Sequence, residues 1–272
     1  MQFVRYAVYA PPFGTFGDVN LLVELARAAE QAGWDGFFLW DHLLYQDDVP
    51  LVDTWIALAA IATATARVRI GPLVTPLPRR RSWKVARESV TLDHLSAGRV
   101  VLGVGLGIDF WREFAAFAGE ADNDRARAEL LDDGIEIIDR LWSGNKVTYR
   151  GMRASVDGVR FLPTPRQHPR IPIWSALLWP PRPGPLRRAA RCDGVVPFRP
   201  DQALTPDNAR HLRAEIQAQR TSEAPFEVCL HGPRDLAPDF AEAGVTWFME
   251  SCHPEQPITD VRRIIDEGPP RV

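Results

Sequence analysis

Asp41 and His42 are the residues of this sequence best suited to proton transfer. They follow residues 36–40 (GFFLW), an apolar segment that predicts a strand, so they lie where that strand ends. An imidazole accepts or donates a proton near neutral pH, and an adjacent carboxylate can bias its charge state. The same pair is also typical of a satisfied loop contact. The sequence therefore predicts either a catalytic pair or a structural one at this position.

Other side chains predict binding rather than proton transfer. Trp40, Trp174 and Trp179 can stack on a planar aromatic ligand, or they can simply plug the interior of the fold. Residues 79–81 (RRR) can bind an anion, or one of them can pair with a carboxylate while the others are solvated. Residues 179–188 (WPPRPGPLRR) lead into a helix whose first amides can hold a phosphate, although the segment can also be only a rigid connector.

Several classes of function lack the residues that they require. The six histidines are far apart and none has the spacing of a metal ligand set, so no metal site is expected. GLGID, at residues 105–109, has no serine for a nucleophile elbow. A net charge of -3 gives no attraction to nucleic acid, and no apolar run has the length of a membrane helix. The three scattered cysteines are typical of reduced thiols, which predicts a cytoplasmic protein.

The segment that positions these residues is 98–107 (GRVVLGVGLG). It is apolar on both faces, as a parallel strand covered by helices must be, and its glycines let backbone or ligand approach closely at the carboxyl end. Functional residues of parallel α/β folds lie at that end. We expect a buried strand that opens into a ligand pocket, with an ordinary glycine turn as the alternative.

The rest of the chain alternates strand and helix patterns, beginning with a strand at residues 3–10. About eight such units fit 272 residues and predict a (β/α)8 TIM barrel formed by residues 1–272 as one domain. An open doubly wound sheet is the alternative, but PPFGTFG after the first strand lacks its phosphate-binding fingerprint. Residues 147–162 interrupt the alternation and predict a polar hairpin inserted before the fifth strand.

In combination, five segments resemble the luciferase-like flavin- or coenzyme F420-dependent oxidoreductases, the superfamily of bacterial luciferase and alkanesulfonate monooxygenase. The matching stretches cover most of residues 1–200 and are residues 29–43 (AEQAGWDGFFLWDHL), 70–107, 127–151, 169–176 (PRIPIWSA) and 189–197 (AARCDGVVP). This resemblance implies a (β/α)8 barrel that holds a flavin or deazaflavin ring at its carboxyl mouth.

The resemblance also implies a role for individual residues. His42 and Asp41 match the catalytic position beside the reactive face of the ring, next to Trp40. The other positions that match the cofactor site are Leu73, Val74, Thr75, Gly105, Gly107, Ser175, Ala176, Leu177 and Gly184. The resemblance also implies a non-prolyl cis peptide bond between Leu73 and Val74. Two departures are visible, because SALLWPPRPGP replaces a glycine-rich segment and residues 108–111 (IDFW) offer only Asp109 as an acid.

The implied function is oxidation or reduction of a small organic substrate. The first prediction is a monooxygenase that uses oxygen together with reduced FMN, and a partner flavin reductase supplies the reduced FMN. The alternative is an F420-dependent dehydrogenase or reductase that transfers hydride, and an alternative of another class is a non-catalytic flavin-binding protein. A homodimer is expected, with the apolar segment 53–66 as a symmetric interface or, alternatively, as a helix packed entirely within the barrel.

Overall fold

Eleven strands are present in the computed structural model, which describes residues 4–121 and 123–270. Phe3, included in the predicted first strand, lies outside the described residues. The strands are β1 (Arg5–Ala10), β2 (Gly36–Leu39), β3 (Arg69–Pro72), β4 (Thr75–Pro76), β5 (Leu102–Gly105), β6 (Lys146–Arg150), β7 (Ser155–Arg160), β8 (Ile173–Leu178), β9 (Gly194–Phe198), β10 (Glu227–His231) and β11 (Trp247–Ser251).

Nine of these strands form one parallel sheet in the order β3-β2-β1-β11-β10-β9-β8-β5-β4. Because β3 and β4 are two parts of one segment, the third strand borders β2 at one edge and β5 at the other. A bridge between Ile70 and Val100, together with the pairing of Thr75 with Val104, joins those edges. The sheet therefore closes into the expected eight-stranded barrel.

A helix follows each barrel strand, which confirms the predicted alternation. The helices are α1 (Val19–Gln31), α2 (Thr54–Ala64), α3 (Ser82–Leu95), α4 (Asp124–Trp142), α5 (Pro183–Arg191), α6 (Pro206–Gln217), α7 (Ala237–Glu242) and α8 (Ile258–Asp266). In α1, the side chain of Asp18 caps the N-terminus by accepting the N–H of Asn20. Leu22 and Leu25 of the same helix are buried against the sheet, and each such burial contributes about 1.5–3 kcal/mol.

The hairpin β6–β7 lies between α4 and β8, as predicted. Asp133 of α4 fixes its turn by accepting backbone N–H bonds from Met152, Arg153 and Ala154, and it also accepts the hydroxyl of Tyr149. Gly151 is required there, because a Cβ at that position would lie 2.2 Å from a carboxylate oxygen of Asp133.

Two layers of apolar side chains result from the alternation along each strand. Inward-facing residues fill the barrel, among them Ala7, Phe38, Val101, Trp174 and Cys229. Outward-facing residues form a larger core against the helices. Trp174 is almost completely buried in the inner layer. It therefore fills the interior of the barrel, which is the second of its two predicted roles, and does not stack on a ligand.

Two further observations complete the fold. Cys192, Cys229 and Cys252 are free thiols and all are buried. None of the helices in the described residues is both long and apolar enough to cross a lipid bilayer.

Candidate active site

The carboxyl mouth of the barrel combines small residues on one side with aromatic rings on the other. Toward the carboxyl ends of the strands, the inward-facing positions beyond the filled inner layer include Tyr9, Trp40, Gly105, Ala176 and His231. Gly105 and Ala176 are on the adjacent strands β5 and β8, and Val74 lies beside Gly105. This side of the mouth offers an apolar, shallow surface, whereas the opposite side has rings and ionisable groups.

His42 is bonded to a buried carboxylate. Its Nδ1 lies 2.9 Å from Oε2 of Glu113, whose side chain is 1% exposed, while that of His42 is 22% exposed. Oε1 of the same carboxylate accepts the N–H of Leu43 at 2.6 Å and a charged hydrogen bond from Arg79. Since an ionised carboxylate only accepts, Nδ1 of His42 carries a proton and donates it to this bond.

The charge of Glu113 is maintained by its partners. Burial alone would raise the pKa of this carboxyl, but the hydrogen bond and charge of His42, the charge of Arg79 and the N–H of Leu43 together lower the pKa to about 2. Glu113 is therefore an anion at neutral pH, which fixes the imidazole in one orientation and leaves Nε2 as its second proton-exchanging atom. Within the described residues, Nε2 makes no hydrogen bond.

Asp41 has different partners from those of His42. Its buried carboxylate accepts the hydroxyl of Thr75 at 2.7 Å, Nε1 of Trp55 at 3.2 Å and a guanidinium bond from Arg80 at 3.1 Å. The backbone carbonyl of Asp41 accepts a bond from Arg79 at 2.8 Å. Asp41 thus joins the ends of the second and third strands, and the carboxylate that contacts His42 is Glu113 instead.

The third strand is interrupted at the mouth. The peptide bond between Leu73 and Val74 is cis, at the bond that the resemblance implied. The carbonyl of Leu73 accepts the hydroxyl of Tyr9 from the first strand. Leu73 is buried in the inner layer, Thr75 is bonded to Asp41, and Val74 is the residue of this segment that is partly exposed at the mouth.

Two glycines, one at the end of β5 and one just after it, permit close packing of the mouth. A Cβ at Gly105 would lie 2.7 Å from a methyl carbon of Val74, so glycine allows Val74 to occupy its place beside β5. Gly107 has a φ of +77°, and a Cβ there would lie 2.8 Å from the ring of Phe114. Both glycines therefore shape the mouth and the loop that follows it.

The predicted phosphate-binding residues of β8 lie on two different faces of the strand, because neighbouring side chains alternate in direction. Ala176 faces the mouth, but Leu177 lies in the core between sheet and helices, and the fully buried Ser175 also alternates away from the mouth. The structure therefore does not bring the side chains of Ser175 and Leu177 to the mouth. Gly184 lies at the second position of α5, with nothing within 4 Å of its Cβ position.

The N-terminus of α5 has few free donors. A helix leaves its first N–H groups without intrahelical partners, and these groups commonly hold phosphates. Here Pro183 and Pro185 have no N–H, and the N–H of Leu186 already donates to the carbonyl of Arg182 at 3.2 Å. The first turn thus offers the single backbone amide of Gly184. The exposed guanidinium of Arg182 makes no bond within the part of the chain that the structure describes.

These residues fit a planar cofactor with an anionic tail. Val74, Gly105 and Ala176 provide an apolar surface for a ring, His42 follows the neighbouring second strand at the same mouth, and α5 can receive a phosphate through one amide and one guanidinium. Among residues 4–121 and 123–270, no group of three or more histidine, cysteine, aspartate or glutamate side chains is arranged to hold a metal ion.

Sequence reasoning missed the most important contact of the site. Glu113 follows Gly107 by six positions in an irregular loop, and no motif marks it. Asp109, the acid noted in that loop, instead accepts the N–H of Phe114 at 2.7 Å and fixes the loop itself. Of the arginine run, both Arg79 and Arg80 pair with carboxylates and only Arg81 is exposed, so the expectation of one paired arginine was too low.

Comparisons with known proteins identify the family and the fold. A family profile described as luciferase-like monooxygenase matches residues 5–250. An F420-dependent glucose-6-phosphate dehydrogenase of Microbacterium testaceum is 36% identical over 160 residues, covering 57% of this chain and 46% of that protein. An F420-dependent hydroxymycolic acid dehydrogenase of Mycobacterium tuberculosis is 35% identical over 153 residues, covering 55% of this chain and 42% of that protein. The matched region thus spans less than half the length of each of these two relatives.

Solved structures are similar over nearly the whole chain. An F420-dependent secondary alcohol dehydrogenase superposes with a TM-score of 0.79 at 17% identity, covering 97% of this chain and 98% of that one. A monooxygenase from Streptomyces bottropensis gives a TM-score of 0.76 at 19% identity, covering 96% of each chain. At these identities the likeness establishes the barrel fold.

Proposed function

The chain belongs to the luciferase-like monooxygenase family of oxidoreductases, and from that premise we propose that it transfers hydride between coenzyme F420 and a small organic substrate. The observation that carries this proposal is the bond between His42 and the buried Glu113 at the barrel mouth. A hydride transfer to or from an alcohol needs a group that exchanges the hydroxyl proton, and this pair supplies one.

The proposed step divides the substrate's hydrogen atoms between two acceptors. Oxidation of a secondary alcohol removes a hydride from carbon, for which a bound coenzyme would be the acceptor, and a proton from oxygen, which would pass to Nε2 of His42. In the reverse direction His42 donates that proton to the carbonyl oxygen. Glu113 holds the imidazole in place and balances the positive charge that forms on it. The coenzyme, when bound, supplies the hydride chemistry itself.

Two observations support F420 over FMN. The curated relatives at 35% and 36% identity carry names of F420-dependent dehydrogenases. In addition, the single free amide at the start of α5 suits the singly charged phosphodiester of F420 better than the terminal phosphate of FMN, which carries about -1.5 to -2 charges. The second candidate function is an FMN monooxygenase with a flavin reductase as partner, in keeping with the description of the matching family profile.

The decisive experiment is an anaerobic titration of the protein with reduced F420 and, in parallel, with reduced FMN, followed by quenching of the nine tryptophans. Preferential binding of F420 supports the proposal, whereas binding of FMN alone supports the monooxygenase. Failure of both to bind would contradict the proposed site. His42→Ala is expected to bind the coenzyme but lose turnover, while His94→Ala, on the exposed side of α3, is expected to match the wild type.

We infer that the barrel forms a homodimer through the outer face of α2. This helix is apolar around its whole circumference, and Ile56 remains 70% exposed although the neighbouring α1 and α3 contact the helix. A helix that is apolar on its solvent side is typical of an interface. Of the two expected roles of residues 53–66, the interface is therefore the one we propose.

A further inference from the structure

We propose that the substrate of this enzyme is a neutral, apolar alcohol or ketone and not a phosphorylated or acidic molecule. This inference rests on the proposed function, because it concerns the reactant that meets His42. It follows from three features of the mouth: the rings around the imidazole, the pairing of the nearest arginines and the apolar rim.

Aromatic rings surround the imidazole of His42. We call Phe13, Trp40, Tyr45 and Trp111 the aromatic wall. Within it, Trp111 lies edge-to-face with His42 at 4.9 Å between ring centroids, and Phe13 does so at 5.8 Å. Phe13 stacks on Tyr45 at 4.3 Å, which in turn contacts Trp111 at 5.0 Å. The exposed part of the imidazole therefore opens among ring carbons, where a charged group would lose hydration without compensation.

The two arginines that contact Glu113 and Asp41 are already neutralised. Arg79, with its side chain 2% exposed, is bonded to Glu113, and Arg80 lies 3.1 Å from Asp41. Releasing either guanidinium for a substrate phosphate would leave a buried carboxylate without its cationic partner, which is strongly unfavourable. Arg79 and Arg80 hold the carboxylates beside the proton-exchanging His42, so neither guanidinium is available to bind an anionic substrate.

The rim of the mouth is apolar as well. Several of the large apolar side chains that remain exposed lie at the carboxyl ends of the strands or in the loops that follow them: Leu43, Ile108, Phe110, Phe117, Leu178 and Phe198. Phe110 is 79% exposed and contacts Trp111 of the aromatic wall. Clustered exposed apolar residues at a pocket mark the binding of an apolar ligand, since isolated ones would be scattered over the surface.

Together these features assign recognition to one polar contact and many apolar ones. The hydroxyl or carbonyl oxygen of the substrate would meet Nε2 of His42, and its hydrocarbon part would lie against the aromatic wall. A sugar phosphate would have to place several hydroxyls and a dianion against rings and apolar side chains. Arg112, an exposed arginine next to Trp111, is the residue through which an anion could still bind, so the test includes it.

The test compares cyclohexanol and glucose 6-phosphate by calorimetric titration of the protein loaded with oxidised F420. We expect cyclohexanol to bind at least about tenfold more tightly. Trp111→Ala should weaken cyclohexanol binding about tenfold, and Trp111→Phe should restore most of it. Tyr45→Ser, which removes a second ring of the wall, should act like Trp111→Ala. Trp83→Ala, which removes an exposed tryptophan of α3, is the matched control and should have no effect.

Three results would overturn the inference. The first is that glucose 6-phosphate binds more tightly than cyclohexanol and that Arg112→Gln loses this binding. The second is that Trp111→Ala does not change the affinity for cyclohexanol. The third is that cyclohexanol does not bind to the loaded protein. Loading with F420 is measured first, by tryptophan quenching. A protein that does not take up F420 would instead contradict the proposed function. Because this inference rests on the proposed function, it would then be contradicted as well.

Discussion

Glu113 accepts a hydrogen bond from Nδ1 of His42 across 2.9 Å, although 71 positions separate the two residues along the chain. The bond joins the loop after the second strand to the loop after β5. Arg79, which follows the third strand, donates a hydrogen bond to the same carboxylate. Three successive barrel strands therefore contribute one residue each to a buried charged group. Because its members come from separate strands, the geometry of the group depends on closure of the barrel.

Replacing Glu113 by glutamine is expected to lower kcat about a hundredfold while coenzyme affinity changes little. Glutamine keeps the size of the side chain but removes the anion that orients His42 and balances its charge during proton transfer. Steady-state kinetics and a tryptophan-quenching titration of the same variant measure the two effects separately. Glu255→Gln, at an exposed loop position, serves as the control. A proportional loss of coenzyme binding would show that Glu113 shapes the pocket rather than positions His42.

The acid stability of the protein should reflect the same carboxylate. The pKa of Glu113 falls from 4.5 to about 2 in the folded state, because its hydrogen bonds and charged partners outweigh burial. A lowered pKa stabilises the fold above the unfolded-state pKa, and this contribution, about 3 kcal/mol, is lost as the pH falls from about 4.5 to about 2. Urea unfolding of wild type and Glu113→Gln across this range measures it. A difference in stability between the two that does not shrink toward pH 2 would contradict the assignment.

Asp41→Asn is expected to destabilise the fold rather than to abolish chemistry selectively. The buried carboxylate accepts bonds from Thr75, Trp55 and Arg80, and its loss leaves the guanidinium of Arg80 without its anion. Breaking a buried ion pair costs about 3–5 kcal/mol. Thermal unfolding measures this loss, with Asp47→Asn, at an exposed position of the same loop, as the control. A folded variant of normal stability but without turnover would instead make Asp41 part of the proton-transfer machinery.

The start of α5 permits a gain-of-function test of phosphate binding. Pro185→Ala restores a backbone N–H at the third helical position, where it can bond a phosphate. One added hydrogen bond to a charged group is worth about 1.5–3 kcal/mol, so the affinity for FMN should rise about tenfold relative to riboflavin, which lacks the phosphate. Pro238→Ala makes the same change at the start of α7 and controls for loss of proline. An unchanged ratio of FMN to riboflavin affinity would mean that the phosphate does not reach α5.

Much of the architecture is readable from the sequence because it depends on local patterns. The strand predicted at residues 36–40 is observed as Gly36–Leu39, and the hairpin predicted at residues 147–162 is observed as the pair β6–β7, since apolar periodicity and turn residues mark both. The third strand, by contrast, breaks between Pro72 and Thr75. Nothing in the local pattern distinguishes this break from a regular strand end.

The site was less readable because its contacts are long-range. His42 was found by residue type and by its place after a strand, whereas Glu113 lies in a loop that has no periodicity to interpret. Ser175 and Leu177 were assigned to the cofactor together with Ala176, but a strand directs neighbouring side chains to opposite faces. Once β8 is placed with Trp174 inside the barrel, only Ala176 of these three faces the mouth.

Ile56→Asp is expected to convert the proposed dimer into monomers. The side chain lies on the outer face of α2 and is 70% exposed in the isolated barrel, so a charge there is tolerated by the monomer but not by a buried apolar interface. Analytical ultracentrifugation over a range of concentrations measures the change, and circular dichroism checks that the barrel is intact. Thr63→Asp, near the end of the same helix, should have a smaller effect if it lies at the interface rim. A wild-type protein that sediments as a monomer at all concentrations would contradict the interface, because the apolar face of α2 would then be solvated.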